Sequence, residues 1–587
     1  MNMLNTIKEK VQSAYNANGF ENANTLVRLS DRPDISDYQS NGALALAKEL
    51  KQNPRAIAEK IADVLRSDSF FETVTVDGPG FINMKVSNDA LSELAYRVLA
   101  NDKGGYERDN APKTIIIDYS SPNLAKAMHV GHLRSNVIGE SIKRLMRFTG
   151  DKVIGDNHIG DWGKPMGLLI TAIQERQPDL PYFDDNFTGD YPTDVPFTGK
   201  DLEEMYPMAA QRAKVDEAFE TKAHENTKLL QDGRPGHRAL WQHFVNESIK
   251  EMNKIYDEFD IKFDLWRGES YVHERLGKMV KRLEEQGIVV PDDGAKIIHL
   301  GKSKNGNDLP PIIMVKSNGA FMYGATDLAT IENRMEEFKP DAILYVVDSR
   351  QGLHFEQVFK AAQIIGLADN VSLEHLGFGT VNGKDNKPFK TRDGGVMTLR
   401  ALLDLASDAA LKKMNAGEMG RDLTDEEKKT ISKIVGMSAL KFADLINERT
   451  KNYIFDEDKL TSTEGKTGPY ILYAIVRMKS ILEKMGAQTL ITPDDRVKIA
   501  HLAERGLLLR LYAMPEAVQT AYDNRAPHVI ADYLFKLAQD FNLFYHDCPI
   551  KDADEETKKS RISLTKYTLH IASLMADLLG LRIPDKM

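Results

Sequence analysis

The hydrophobic pattern changes period twice just after residue 112. Thr114-Ile115-Ile116-Ile117 is a short, unbroken β-branched run, the pattern of a strand buried on both faces of a parallel sheet. Leu133, Val137, Ile138, Ile142, Leu145 and Met146 then recur at helical spacing. Lys143, Arg144 and Arg147 suit the C-terminal end of that helix, and Gly150 suits its left-handed cap. Val153-Ile154 opens a second strand, which completes a βαβ unit. Further strands are expected at Ala342 to Val347 and Val371 to Leu376. Residues 111–425 are therefore expected to form a doubly wound, Rossmann-like α/β domain.

Two other regions have different patterns. Residues 1–110 read as a small α/β unit: a helix in Met1 to Tyr15, alternating strands at Phe70–Val76 and Phe81–Val86 around Asp77-Gly78-Pro79-Gly80, and a helix from Ala90 to Ala100. From about Glu426 the β signals fade. Helical patterns run through 426–448, 469–485, 493–522, 527–546 and 561–579, so residues 426–587 are expected to be all-helical. Residues 175–232 carry 14 acidic and 6 basic side chains and read as a surface insertion in the α/β domain.

Composition narrows the class. Of 587 residues, 42% are hydrophobic and 28% charged, the values of a folded globular chain. The one cysteine, Cys548, excludes a disulfide scaffold or Cys-rich zinc site and fits a reducing cytoplasm. No apolar run is long enough to span a bilayer, and the first residues do not read as a signal peptide. Net charge is −10, and a whole-chain acidic balance argues weakly against nucleic acid of any kind; DNA is not expected as a partner. Residues 431–587 are nearly balanced, with 22 basic and 21 acidic side chains, so an extended polyanion would lie more easily there, although ordinary scatter of charge gives the same balance.

The candidate chemistry sits between the first buried strand and its helix, in Ser120-Ser121-Pro122-Asn123-Leu124-Ala125-Lys126-Ala127-Met128-His129-Val130-Gly131-His132. Ligands of open parallel sheets bind at this carboxyl edge, and helix N-termini attract phosphate. Two histidines three apart share one side of the first turn and can both donate to phosphate oxygens. Gly131 leaves room for a flat ring against the backbone. From the content of His and Gly, His-x-Gly-His is expected by chance only about 0.02 times in such a chain. Taken alone, the string also fits a capped helix start with two exposed histidines.

His-x-Gly-His after a βα turn resembles the first signature of class I aminoacyl-tRNA synthetases, and the fuller string Ser-Pro-Asn-x-Ala-Lys-x-x-His-Val-Gly-His closely resembles the arginyl-tRNA synthetases. Further blocks follow in that family's order: Gly160-Asp161-Trp162-Gly163, Tyr323-Gly324-Ala325-Thr326-Asp327, Asp348-x-Arg350-Gln351-x-x-His354-Phe355, His375-Leu376-Gly377-Phe378-Gly379 and the ending Leu579 to Met587. The resemblance covers essentially the whole chain. It implies ATP-dependent activation of L-arginine to an adenylate and transfer of arginine to the terminal adenosine of its tRNA, by a cytoplasmic, monomeric enzyme. Mg2+ is expected to accompany ATP as substrate, with no dedicated metal site and no tightly bound cofactor.

The same resemblance implies site residues. Lys126, His129 and His132 would act in catalysis. His129, Gly131, His132, His354 and Leu376 would bind ATP, and Asn123, Glu269, Tyr323, Asp327 and Gln351 would bind arginine. The residue types agree: a guanidinium is held by carboxylates in fork geometry against a flat face. Taken alone, each acid is more commonly a solvated surface charge, and Glu269 is the weakest of the five candidates. The second class I signature, Lys-Met-Ser-Lys-Ser, is replaced by Lys387-Pro388-Phe389-Lys390-Thr391-Arg392-Asp393-Gly394-Gly395, which leaves Lys126, Lys390 or Arg392 to face pyrophosphate. Tyr470, Tyr473 and Arg477 combine aromatic and basic character for reading unpaired tRNA bases, although tyrosines in such a stretch more often serve as core. Residues 1–110 resemble the add-on domain that contacts the tRNA elbow. Two alternatives remain open at this point: a small nucleotidylyltransferase sharing the histidine signature, and a synthetase-like RNA-binding paralogue.

Overall fold

Five parallel strands form the central sheet of a computed structural model that describes residues 2–587 except 109, 195–196, 304, 388–396 and 418. In spatial order they are Ser372–His375, Ala342–Val346, Thr114–Tyr119, Lys152–Asn157 and Leu265–Trp266. Numbered along the chain, that is 5-4-1-2-3, the doubly wound order in which the direction of winding reverses between the first and fourth strands. Ile115 pairs with Ala342 on one side and Val153 on the other. The run Ile115–Ile117 is fully buried, because helices cover both faces of this strand.

The helix Val130–Thr149 follows the first strand and ends at Gly150 with φ 104°, a left-handed cap reached without steric cost. Helix Tyr323–Phe338 is fixed to the sheet by one buried cation. Arg334 Nη2 donates to Asp118 Oδ2 at 2.6 Å and Asp156 Oδ2 at 2.7 Å, joining it to the first two strands. Between Lys164 and Glu258 the chain adds helices. Gly199–Arg212 and Glu217–Gln231 pack through Ala209, Phe219 and Ala223 on Leu168 of helix Lys164–Arg176. The segment expected as a surface insertion therefore contains two helices with a small core against the α/β layer.

The chain divides into two compact units. One holds Pro112–Asp408 and Asn447–Glu457, and the other holds Met1–Ala111, Ala409–Ile446 and Asp458–Met587. In the second, the N-terminal sheet and the C-terminal helices are clasped together. Arg505 makes a bidentate pair with Asp37 at 2.9 and 2.8 Å, and Tyr512 Oη donates to the Leu91 carbonyl at 2.5 Å.

Several elements differ from expectation. Residues 426–587 are not wholly helical: Tyr453–Ile454 pairs as a short strand with Val381–Asn382, which keeps Asn447–Glu457 with the sheet unit. The pattern at 493–522 resolves into helices Leu502–Tyr512 and Met514–Asn524. Pro515, which lacks an N–H, starts the second helix, and Thr492–Asp495 forms a turn closed by the Asp495 carboxylate. An antiparallel sheet of Val290–Asp292, Ala295–Ile298 and Ile312–Val315, and the N-terminal strands Val27–Leu29 and Tyr38–Ser40, had no counterpart in the hydrophobic pattern.

Candidate active site

The signature turn departs from ordinary backbone geometry at three non-glycine residues: Ser120 (φ 74°), Ser121 (φ 47°) and Ala125 (φ 57°). Such conformations persist where surroundings hold them. Ser120 N–H donates to Ser135 Oγ at 2.8 Å, Ser121 N–H to Asn157 Oδ1 at 3.2 Å and Ser121 Oγ to Asp118 Oδ1 at 3.0 Å. Asn123 lies against Gly160. Leu124 N–H donates to the Gly160 carbonyl, Gly160 N–H donates to the Pro122 carbonyl, and a Cβ on Gly160 would overlap the Asn123 amide. The glycine is needed for this approach and not for its φ.

His129 and His132 form the cap of the signature helix. His129 Nδ1 accepts from Gly131 N–H at 3.0 Å, and His132 Nδ1 accepts from His129 N–H at 3.1 Å. Their ring centroids lie 4.1 Å apart. Gly131 does make room for a ring, but the ring is that of His129, which a Cβ there would strike. Because each Nδ1 is an acceptor, each neutral ring carries its proton on Nε2. Desolvation, assisted by Lys126, holds the His129 pKa below its usual value. Desolvation, with His129 beside it, pushes His132 down to about 3. Both are therefore neutral N–H donors near pH 7. Val130 N–H bonds the Met397 carbonyl at 3.0 Å, and Leu399 N–H bonds that of Met128 at 2.7 Å. The chain after 388–396 is thus bolted to the histidine turn, while Lys390 and Arg392 themselves lie outside the described residues. The Lys126 ammonium lies 4.9 Å over the ring of Tyr206, on the inserted helix Gly199–Arg212.

The two expected arginine-binding acids, Glu269 and Asp327, converge with a third carboxylate, Asp161, from three elements. Asp327 is on the second turn position of helix Tyr323–Phe338, and Glu269 opens the turn Glu269–Val272. Asp161 holds that turn: Oδ1 accepts from Ser270 N–H at 2.9 Å and Oδ2 from Ser270 Oγ at 2.5 Å, an approach permitted by the missing side chain of Gly268. Desolvation, then the nearby Asp161 and Asp327, push the Glu269 carboxyl up to about 8. Glu269, the weakest of the five candidates and taken alone more commonly a surface charge, is thus half-buried among carboxylates. Asp327 Oδ2 accepts from His354 Nε2 at 2.6 Å. His354, expected on the ATP side, is thereby brought to the acid cluster. Tyr323 lies within electrostatic reach of Glu269 but is 68% exposed, so it forms an open rim and not the wall of a closed pocket. Gln351 ends the turn Ser349–Gln351 after the fourth sheet strand and is exposed. Leu376 is buried, its N–H bonded to the Tyr345 carbonyl at 2.8 Å. Arg134, buried in the signature helix, steadies the following block by donating to the Gly379 carbonyl at 2.8 Å.

Asp161 stood in a quoted motif without a role, and its distance from Ser270 along the chain, 109 positions, left no local signal of their bond. In the other unit, Arg477 stacks over Tyr473 at 4.5 Å and lies 5.7 Å from the ring of Tyr545. Tyr473 is 40% exposed. Tyr470 is committed to packing: its ring lies 5.5 Å from Phe535, and its Oη accepts from Asn542 at 2.9 Å.

Comparison with known proteins decides the family. Residues 95–457 match the catalytic domain of class I (R) tRNA synthetases, residues 1–86 the arginyl-tRNA synthetase N-terminal domain, and residues 471–587 the DALR anticodon-binding domain. The chain belongs to the arginyl-tRNA synthetase family. It is 43% identical to the arginine–tRNA ligase of Alkaliphilus oremlandii over the full length of both chains, and 43% identical to that of Hyphomonas neptunium over 98% of each. The arginyl-tRNA synthetase of Plasmodium falciparum has the same fold, with TM-score 0.80 and 26% identity over 100% of this chain and 99% of that one. That of Thermus thermophilus shares the fold at TM-score 0.77 and 24% identity over both whole chains. The activity is arginine–tRNA ligation: a class I synthetase joins arginine to tRNA at the expense of ATP. Full-length agreement with these ligases excludes the short nucleotidylyltransferase. Among the described residues, no helix is long and apolar enough to cross a membrane.

Proposed function

We propose a division of labour along the carboxyl edge of the sheet. ATP lies on the signature turn, with His129, Gly131, His132 and Leu376 around it. Arginine lies with its guanidinium toward Glu269, Asp327 and the face of Tyr323, and its polar end toward Asn123 and Gln351. The observation that carries this reading is the pairing of two Nε2–H donors at a helix N-terminus with a separate cluster of three carboxylates. One suits a polyphosphate and the other a cation.

The chemistry is two displacements. The arginine carboxylate attacks the α-phosphorus of ATP in line, the bond to the β-phosphate oxygen breaks and pyrophosphate leaves. The 2′-hydroxyl of the terminal adenosine then attacks the activated carbonyl and AMP leaves. Such steps need positioning and charge stabilisation more than a protein nucleophile. His129 and His132 donate as neutral groups, so the positive charge at the leaving pyrophosphate is assigned to Lys126, with Lys390 and Arg392 as further candidates. Mg2+ arrives with ATP as part of the substrate.

The balanced charge of residues 431–587 and the exposed Tyr473–Arg477 stack support an anticodon contact there, with Tyr470 behind it through Asn542. Residues 1–110 are assigned to the tRNA elbow, residues 111–425 to catalysis and residues 426–587 to the anticodon. The working state is a cytoplasmic monomer. Arginine-dependent ATP–pyrophosphate exchange, with and without tRNA, tests the scheme. Exchange is expected with tRNA and to be negligible without it, because the loop at 387–395 lacks one standard lysine. Full exchange without tRNA refutes that dependence.

A further inference from the structure

His354 stands on helix Gly352–Ile364, directly after the fourth sheet strand. Its Nε2 meets Asp327 Oδ2 at 2.6 Å. Among the described residues no hydrogen bond reaches Asp327 Oδ1, and the Asp327 side chain is 26% exposed. The carboxylate is therefore held by one oxygen and presents the other. Around the pair stand Glu269 and Asp161 from the neighbouring turn and loop, Tyr323 one helical turn before Asp327, and Tyr345 from the strand beneath. Phe355 packs its ring edge-on to His354 at 5.5 Å and is itself stacked on His375, which limits the imidazole's freedom.

We propose that His354 is a positioning residue for arginine: it fixes one oxygen of Asp327 so that the other meets the substrate guanidinium, and its own charge competes with that guanidinium. The inference rests on reading Asp327 as the guanidinium partner. The geometric reason is that a carboxylate free to rotate spends part of its time turned away from a planar fork, whereas one tethered at Oδ2 offers Oδ1 in a single direction. The chemical reason is that imidazole donates from Nε2 in both its neutral and charged forms. The tether therefore survives titration, and only the competing charge comes and goes. The bond to Asp327 holds the His354 pKa above its ordinary value, so that charge persists further toward neutral pH. Protonated His354 partly neutralises Asp327 and repels a second cation, so arginine binds best to the neutral form.

The test uses the full chain with tRNA present. ATP–pyrophosphate exchange is followed at varied arginine and varied ATP from pH 6 to 8.5, for wild type, His354→Leu, His354→Gln and Asp327→Asn. Loss of a hydrogen bond to a charged group is expected to raise the arginine KM of His354→Leu about 10–100-fold. ATP KM stays within about twofold, since the phosphates are assigned to the histidine turn. His354→Gln carries a neutral N–H at the position of Nε2 and is expected to restore arginine KM to within about threefold of wild type at pH 8. Wild-type arginine KM should rise as pH falls through the His354 titration, and in His354→Gln this step should be missing, leaving only that of Glu269. A raised ATP KM with unchanged arginine KM in His354→Leu overturns the proposal and makes His354 a nucleotide residue. If His354→Leu does not fold, an unaltered pH profile in His354→Gln overturns it instead. If Asp327→Asn raises arginine KM while the His354 variants do not, the His354 inference alone fails. If Asp327→Asn also has no effect, the pocket itself is misassigned.

Discussion

Arginine binding should release a proton, and Glu269 is its main source. Desolvation and the neighbouring Asp161 and Asp327 raise its carboxyl to about 8. At pH 7 roughly nine-tenths of Glu269 is then protonated in the protein without arginine. A guanidinium brought within about 4–6 Å lowers a carboxyl pKa by about 1–3 units. That would carry Glu269 to about 5–7 and release about 0.4–0.9 proton per arginine at pH 7. Calorimetric titration with arginine in HEPES and in Tris reads this number directly, as the slope of observed enthalpy against buffer ionisation enthalpy. Glu269→Gln should remove most of the slope and weaken arginine binding. Stability carries the same signature with the opposite sense. The folded state holds a proton that the unfolded state has lost above about pH 4.5, so this stabilising contribution is complete below that pH. It is lost as pH rises through about 8, at on the order of 1.4 kcal/mol for each pH unit that separates the folded and unfolded titrations. A wild-type slope of zero, or an unchanged slope in Glu269→Gln, would refute the placement of the guanidinium beside Glu269.

Three other perturbations probe separate parts of the molecule. Lys126→Met should lower kcat about 10²–10³-fold with little change in arginine KM, by analogy with loss of one transition-state donor; a change confined to KM in steady-state exchange would make Lys126 a ground-state contact. Gly160→Ala places a Cβ where the Asn123 amide lies, so arginine KM should rise about tenfold while the melting temperature barely moves, because Asn123 is exposed and can swing aside; unchanged kinetics would remove Asn123 from the site. Arg505→Met leaves Asp37 buried without its cation and should cost about 3–5 kcal/mol in chemical denaturation of the unit joining the N-terminal sheet to the C-terminal helices; a loss below about 1 kcal/mol would show that packing alone holds the clasp.

What the sequence could show depended on how local each feature was. The strand Thr114–Tyr119 was legible because it is buried on both faces and so reads as a continuous β-branched run. The histidine turn and Gly150 cap were legible because their partners lie within a few residues. Leu265–Trp266 escaped notice because a two-residue edge strand has no period. Tyr453–Ile454 was hidden because its partner, Val381–Asn382, is far away in sequence and the segment is flanked by helices. At the site, residue types and motif order pointed to Asp327, Glu269 and Tyr323, but the pairings were out of reach. Neither the bond of Asp161 to Ser270 nor that of His354 to Asp327 follows from spacing, since both depend on which strand ends the doubly wound order brings together. Burial of Glu269 was likewise a tertiary fact: its neighbours along the chain, Arg267 and Ser270, look like surface.

The central claim is that Asp327 meets the substrate guanidinium at a place separate from ATP. Steady-state arginylation of tRNA by Asp327→Asn tests it most directly, because the substitution keeps shape and removes charge. Truncating one partner of a charge pair costs about 2–5 kcal/mol, so kcat/KM for arginine should fall by roughly 30-fold to several thousand-fold, toward the lower end because Asp327 is only half-buried. ATP KM should stay within about threefold and the protein should remain folded. A folded Asp327→Asn enzyme with unchanged arginine KM would contradict the account.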